Sequence, residues 1–480
     1  ESEAAGEMTE SKSKMTGCGH KDSLWVLLIV QALLAVFFCF TGEIRVDALG
    51  EDTLQCVLFV LVAVMLVVGF PALMAFPGRF GFSALFFSYV LIAVTFQFHL
   101  FMQWLRELIE HHIEDSGHDF EFHVGAIQGL EALFAVAVIL ISFGVVEGRW
   151  SFAQYIVAAI LETCFYTFSC FLSAFLAPRA IGHDYSVMDF GGSILVHLFG
   201  GVFGVCMCMG ERKMNKRDQT IKKEDETTDK SGATSYTSDQ ISAIGSLVLW
   251  AFWPAFAAAL TDTSLFGYNA VATLAALCAS TIVAFPLSGL FRAKEMHLKF
   301  DAADLANASL AGGVAVGAML GIRMPFGVIM LTGMAAGCLS VAGYAFIQPA
   351  IQAKIPYLRD ACGVMNLHLM PGLLGGLLNI IVIATGISGG LQTAGTDDET
   401  DFESKQWLVQ LLCLLITIAF AMVTGGLTGV AVSKIDTLEA GEMFHDHVTF
   451  ETPEEGYNPC EEEEVSEINL EGSVVCDTTV

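Results

Sequence analysis

Apolar residues in this chain are gathered into long blocks that are separated by shorter polar segments. Each block is roughly 20 residues long, which is the length an α-helix needs to cross about 30 Å of hydrocarbon. Because backbone amides inside a bilayer must be satisfied within the protein, such blocks predict transmembrane helices. We count twelve of them, at residues 24–42, 54–76, 82–104, 123–146, 151–177, 188–210, 240–261, 267–290, 303–321, 325–347, 362–388 and 407–432. The sequence therefore predicts an all-α polytopic membrane protein, in which only Arg323 and Pro325 divide the ninth block from the tenth.

The basic residues predict an orientation for these helices. With the N-terminus placed in the cytoplasm, 18 of the 23 lysines and arginines fall on the cytoplasmic side, as the positive-inside rule requires. We therefore expect a multi-pass protein of the cell membrane with both termini in the cytoplasm. Its predicted parts are a cytoplasmic segment at 1–22, a transmembrane domain at 23–435 with a cytoplasmic linker at 211–239, and an acidic cytoplasmic tail at 436–480. We interpret the first block as a retained helix and not as a cleaved signal peptide.

Composition supports this class and removes others. The chain is 54 % hydrophobic and only 15 % charged, and its formal net charge is −28. Much of the negative charge lies in the tail, which contains four consecutive glutamates at 461–464. We interpret the tail as a solvated polar segment, and a partner-binding tail is the alternative. No basic stripe suggests binding to nucleic acid. Most of the 13 cysteines lie inside apolar blocks, where cysteine acts as a small hydrophobe, so we expect no disulfide framework.

Two of the blocks carry the same polar pattern. An aspartate, a glycine, a histidine and a second glycine recur at a constant offset of 171 residues, as Asp189, Gly192, His197 and Gly201 and then as Asp360, Gly363, His368 and Gly372. The predicted topology brings one copy in from outside and the other from inside. Inverted repeats of this kind are typical of transport proteins, which bind their cargo near the repeat interface.

His197 and His368 are the candidate functional residues of this repeat. A histidine inside an apolar helix is costly unless it is paired or faces a cavity, and each one alone would be interpreted as structural. As a repeat-related pair they predict two neutral imidazoles that hydrogen-bond to each other and to a small neutral molecule. A metal site is the alternative use, but it needs further ligands close by; we expect no metal and no cofactor. Asp189 and Asp360 are expected to cap their helices, and a direct role in attracting a cationic cargo is the alternative.

The same stretches resemble the Rh glycoprotein family within the ammonium-transporter superfamily. Residues 189–204 and 361–376 resemble its two histidine signatures, and residues 307–317 resemble another of its blocks. Phe256, in 250–256, and Phe134, ahead of 142–148, match the two pore phenylalanines of the family. The resemblance extends from about residue 20 to residue 435, and twelve spans are typical of Rh proteins, whereas bacterial and plant ammonium transporters typically have eleven.

This resemblance implies a homotrimer of ammonia channels with one pore in each subunit. His197 and His368 would line the pore, and Phe134 and Phe256 would form its outer gate. Three departures stand out. Leu369 replaces a usual glycine, residues 163–183 contain no vestibule acid, and the tryptophan that holds ammonium in bacterial members has no clear match. Recruitment of the cation would then be weaker or would use Glu131.

The resulting hypothesis is conduction of ammonia without covalent chemistry, so we do not expect an enzyme. Ammonium would lose its proton at the outer vestibule, ammonia would pass both histidines, and methylamine would serve as an analogue. Two alternatives remain at this point. One is a channel for carbon dioxide or another small neutral gas, and the other is a non-conducting scaffold or sensor that acts through the acidic tail.

Overall fold

The structure is a computed structural model, and it is a bundle of helices around a buried centre. It describes residues 24–41, 43–44, 52–113, 120–180, 187–214, 232–261, 263–292, 298–355, 357–386, 399–435, 437–439 and 441–452. The helices are α1 (Leu24–Thr41), α2 (Thr53–Met74), α3 (Gly81–Ile113), α4 (Ala126–Val146), α5 (Phe152–Ala180), α6 (Ser193–Met214), α7 (Tyr236–Ala258), α8 (Thr263–Phe291), α9 (Ala302–Val316), α10 (Phe326–Lys354), α11 (Met365–Thr385) and α12 (Glu399–Val432). Each predicted block corresponds to one of these helices, which confirms the predicted fold class. Two short strands, Glu43–Ile44 and His123–Val124, pair in parallel.

Eleven helices of the described residues are long and apolar enough to cross a membrane. The exception is α9, which has 15 residues and ends in a 3₁₀ turn at Gly317–Met319. Its C-terminal half is wholly buried, so it is surrounded by protein, and the division after it lies at 320–325 as predicted. In contrast, α3 continues beyond its predicted block to Ile113. Arg106 and Glu110, one turn apart in this extension, form an ion pair that favours the helix by a few tenths of a kcal/mol.

The two halves of the chain pack on each other reciprocally. Gly191, just before α6, donates its backbone N–H to the carbonyl of Gly317 at the end of α9. Cys362, just before α11, donates in the same way to the carbonyl of Gly144 near the end of α4. Since α4 and α6 are separated by the single spanning helix α5, the start of α6 and the start of α11 lie at opposite ends of the bundle. The repeat is therefore inverted, as the sequence predicts.

For the description below, the linker end of the bundle is the end where α6 stops and α7 starts. It also contains the end of α2, the end of α4 and the start of α11. The far end contains the start of α4, the start of α6 and the end of α7. The predicted linker at 211–239 falls mostly outside the described residues, apart from its two edges, which belong to α6 and α7. Residues 1–22 and the four tail glutamates also lie outside them.

Candidate functional site

The two repeat-related histidines meet at the centre of the bundle. Their Nδ1 atoms are 3.1 Å apart, their rings are nearly parallel at 20°, and the side chains of His197 and His368 are 1 % and 4 % exposed. Each lies in a π-helical turn at the start of its helix, Ser193–Leu198 and Met365–Leu369. A hydrogen bond between two Nδ1 atoms needs one donor and one acceptor. The rings are therefore held in different tautomers.

The aspartates of the repeat hold the two turns in place. One carboxylate oxygen of Asp189 accepts the backbone N–H groups of Ile194 and Leu195, and Asp360 accepts those of Val364 and Met365. Burial raises the pKa of Asp189 to about 7 and that of Asp360 to about 6, and the backbone hydrogen bonds oppose this rise. Both carboxylates are thus engaged with helix N-termini, where the macrodipole also favours an anion. This geometry fits the capping interpretation.

The repeat glycines allow these turns and the close approach of α6 and α11. Gly192 and Gly363 have φ angles of +69° and +72°, which a residue with a side chain rarely adopts. A Cβ atom on Gly201 would lie 2.8 Å from the Cβ atom of Leu369. Leu369, the first departure from the family pattern, therefore packs between helices.

Aromatic rings extend the histidine pair toward both ends. We call this series the ring column: Phe134 and Phe256, then His197, then His368, then Phe70. The ring centroids of successive members are 4.3, 6.1, 5.2 and 6.0 Å apart. Phe134 and Phe256 stack at 14° at the far end and are at most 5 % exposed. The column is thus closed at the far end by two rings in contact.

A cavity of about 250 Å³ begins where the ring column ends, at the linker end. It is bounded by Phe70 and His368 on one side and by Thr234 and Asp239 on the other. A water molecule occupies about 30 Å³ in the liquid, so the cavity is large enough for several. His368 therefore borders a space that can hold water, whereas Nε2 of His197 is buried and has no hydrogen-bond partner within the part of the chain that the structure describes.

The carboxylate of Glu131 is already bound by two other side chains. Its Oε2 atom accepts from Gln103 at 3.1 Å and forms an ion pair with Arg106 at the same distance. The acid that the sequence suggests for recruiting a cation is thus neutralised by a guanidinium. Within the described residues, no group of three or more histidine, cysteine, aspartate or glutamate side chains is arranged to hold a metal ion.

Sequence reasoning missed several side chains near the column. Trp253 stacks on His197 with ring centroids 5.5 Å apart, although its segment drew attention only for Phe256. Glu162 is buried one residue before the acid-free stretch 163–183, and it contacts the hydroxyl of Ser142. Glu147 is buried against Cys362. A carboxylate inside an apolar block was the available signal for Glu162, since such residues are rare in spans.

A membrane bundle with an inverted repeat and polar groups at the repeat interface defines the class of membrane transport proteins. The model of the Ammonium Transporter Family matches residues 24–449. This chain belongs to that family. Among relatives, it is 33 % identical over 408 residues to the ammonium transporter Rh type B of Rattus norvegicus, with 82 % of each chain covered. It is 35 % identical over 337 residues to the ammonium transporter Rh type A of Mus musculus, with 69 % of each covered.

Solved structures agree with this assignment. The Rh50 channel of Nitrosomonas europaea superposes with a TM-score of 0.68 at 30 % identity, over 87 % of this chain and 96 % of that one. Mep2 of Saccharomyces cerevisiae superposes with a TM-score of 0.58 at 14 % identity, over 84 % of this chain and 93 % of that one, and it shows the fold alone. The predicted Rh branch is confirmed by the Rh relatives and by the Rh50 structure.

Proposed function

We propose that this chain is an ammonia channel whose path is the ring column. The observation that carries the proposal is the buried pair of hydrogen-bonded imidazoles, which opens into a cavity on one side and meets two stacked phenylalanines on the other. The Rh type A and type B relatives are named ammonium transporters, which supports the same cargo here. No bond to carbon is made or broken in such transport, so the proposal involves no enzymatic activity.

The cost of desolvation decides which species crosses. A bare cation in an apolar path costs several kcal/mol or more, whereas neutral ammonia loses only hydrogen bonds to water. The two imidazoles replace some of the lost hydrogen bonds to water, since each can donate a hydrogen bond to ammonia or accept one from it. Ammonium therefore loses a proton at the far end before ammonia passes Phe134 and Phe256, moves along His197 and His368, and enters the cavity.

The far end is a weak trap for the cation. Glu131 is paired with Arg106, and Asp189 is buried as a helix cap. An engaged carboxylate offers little free charge to an arriving ammonium ion. We therefore expect conduction to remain proportional to ammonium concentration well into the millimolar range.

The charge pattern and the family support the setting of this channel. We propose that the linker end and both termini face the cytoplasm in the cell membrane, because most lysines and arginines fall on that side. The resemblance to Rh proteins supports a homotrimer. The acidic tail at 436–480 would then be available to a cytoplasmic partner.

Replacement of the two histidines tests the path. We expect His197→Ala and His368→Ala each to lower ammonia flux roughly tenfold, because about 1.4 kcal/mol of lost hydrogen bonding to the cargo is a factor of ten. Stopped-flow measurement of lumenal pH in proteoliposomes, with parallel current recording, reports cargo and charge together. His112→Ala is the matched control, since His112 is exposed and its ring nitrogen lies 2.7 Å from the carbonyl oxygen of Leu108, one turn earlier in the same helix.

Unchanged ammonia flux in both histidine variants would contradict the proposed path. Flux of carbon dioxide that depends on the histidines while ammonia flux does not would assign the column to the other gas. Uptake of methylamine by cells that lack their own ammonium transporters gives an independent reading. If no solute moves at all in wild-type proteoliposomes, the non-conducting scaffold replaces the channel.

A further inference from the structure

A buried carboxyl group lies at the linker end, immediately after α4. The side chain of Glu147 is 0 % exposed. Its Oε2 atom accepts a hydrogen bond from the thiol of Cys362 at 2.6 Å, and its Oε1 atom has no hydrogen-bond partner among the described residues. A buried carboxyl with one unsatisfied oxygen is costly. Such a group calls for an explanation beyond packing.

Cys362 connects this carboxyl to the proposed path. The residue borders the same cavity as His368, and its backbone is fixed by the hydrogen bond to Gly144. Cys362 thus contacts Glu147 through its thiol and also lines the cavity. A molecule that leaves His368 toward the linker end enters a space that Cys362 borders.

The inverted repeat shows that the fold does not require these two side chains. The reciprocal hydrogen bonds of Cys362 to Gly144 and of Gly191 to Gly317 make Gly191 the counterpart of Cys362. Glu147 follows Gly144 by three residues, and Leu320 follows Gly317 by three, so the counterpart of Glu147 is Leu320. Gly191 makes the reciprocal contact with α9 at the far end without any polar side chain. The same packing is therefore achieved with a glycine and a leucine at the far end. Of these two equivalent contacts, only the one at the linker end, which borders the cavity, contains an acid and a thiol.

We propose that Glu147 and Cys362 form a proton-transfer site at the cytoplasmic mouth of the channel, which protonates ammonia as it leaves the histidine pair. This inference rests on the proposed function and adds a residue pair to it. Glu147 holds the proton, and Cys362 relays it to the cavity.

The transfer balances without any further reactant. The S–H bond of Cys362 first rotates from Glu147 toward the cavity, and the carboxyl O–H of Glu147 then donates to the sulfur. Ammonia in the cavity takes the proton of the Cys362 thiol, so an N–H bond forms and an S–H bond breaks. At the same time the sulfur takes the proton of the Glu147 carboxyl, so the thiol is restored and a carboxylate remains. Water in the cavity then returns a proton to the carboxylate and releases hydroxide. The reverse sequence deprotonates ammonium that enters from the cytoplasm.

The electrostatic surroundings keep the carboxyl protonated at neutral pH. Burial raises the pKa of Glu147 to about 8, and the hydrogen bond from Cys362 opposes the rise. Tyr155 on α5 faces Glu147, and Asp360 and Arg149 are the other charged groups near Cys362. The carboxyl group is therefore protonated below about pH 8 and ionised above it.

The dependence of flux on internal pH tests this site. Proteoliposomes of the full chain are loaded with buffers from pH 6 to pH 9.5, and the initial ammonia flux is measured at each value. We expect wild-type flux to fall at least threefold as internal pH rises through about 8, since the carboxyl loses its proton. Glu147→Gln should have a low flux without this step. Glu162→Gln is the matched control, since that buried acid lies away from the cavity, and it should keep the step.

The cysteine variants provide a second, independent reading. Cys362→Ser keeps a group that relays a proton and should keep the step near pH 8, whereas Cys362→Ala should lose it. This comparison decides the question if Glu147→Gln fails to assemble, as judged by size-exclusion chromatography. A wild-type pH profile in Glu147→Gln or in Cys362→Ala overturns the proton-transfer site. Such a result leaves the channel itself intact, because the histidine variants test that separately.

Discussion

At the scale of single residues, His197 of the ring column and the neighbouring Trp253 each carry a buried nitrogen atom without a partner among the described residues. These atoms are Nε2 of His197 and Nε1 of Trp253, and the two rings stack at 5.5 Å. If His197 donates through Nδ1 to His368, its Nε2 atom is an acceptor, while the indole N–H is always a donor. Ammonia has both a lone pair and N–H groups. It is therefore the kind of molecule that satisfies both positions in turn.

Trp253→Phe tests this arrangement. The ring that covers His197 is kept, and only the N–H group is lost, so we expect flux to fall about fivefold, which corresponds to the roughly 1 kcal/mol of one hydrogen bond. Thermal stability of the detergent-solubilised protein should not decrease, because an unsatisfied donor is removed. Trp250→Phe is the control, since Trp250 donates to Thr281 at 3.2 Å, and there stability should fall while flux stays. Equal flux in wild type and Trp253→Phe would show that the indole N–H does not contact the cargo.

At the scale of elements, the sequence was sufficient to predict those features that depend on residues close together in the chain. The constant offset between the copies containing His197 and His368 predicted the repeat. Each position in a copy requires a particular residue type, because a helix cap needs an aspartate and a left-handed turn or a close helix crossing needs a glycine. The sequence was insufficient for Trp253, the cavity and Glu147. Their roles depend on which helices contact each other, and the sequence does not show this. The same holds for the length of α9, which has only 15 residues and is buried among neighbouring helices.

The cap of α11 gives a prediction about pH. The folded pKa of Asp360 is raised to about 6 by burial, above its ordinary value, so the folded state binds the proton more tightly than the unfolded state does. The contribution of Asp360 to the free energy of unfolding is fully present below about pH 4 and is lost as pH rises through about 6. Asp360→Asn should therefore show a smaller loss of thermal stability between pH 4 and pH 6 than wild type. Asp189→Asn is the matched comparison at α6. Since the pKa of Asp189 is raised to about 7, its smaller loss of thermal stability should extend from about pH 4 to about pH 7. Parallel stability curves for wild type and Asp360→Asn would contradict the assigned titration.

At the scale of the whole molecule, the segment after α12 is part of the folded bundle. Phe444 donates its backbone N–H to Gly148 at 2.8 Å, and its ring covers Gly148, where a Cβ atom would lie only 2.1 Å from the ring. The carboxylate of Asp446 accepts the N–H groups of Phe82 and Ser83 and so caps α3. The segment thus joins the start of α3 to the loop that contains Glu147. The first part of the predicted tail is structural, and it lies at the same end as the cavity.

Two truncations separate this part of the tail from the rest. Removal of residues 441–480 should destabilise the protein by roughly 3 kcal/mol, because a buried phenylalanine is worth about 1.5–3 kcal/mol and a helix cap about 1 kcal/mol. Removal of residues 453–480 takes away the glutamate run and should leave both stability and ammonia flux unchanged. Thermal unfolding in detergent and flux in proteoliposomes measure the two effects. The double variant Phe444→Ala, Asp446→Ala should reproduce part of the loss caused by the longer truncation, since these two side chains cover Gly148 and cap α3, while Phe450 packs separately on Phe86 and Phe87. If the shorter truncation destabilises as much as the longer one, the stabilising contacts lie beyond Thr452, and Phe444 and Asp446 do not hold the linker end together.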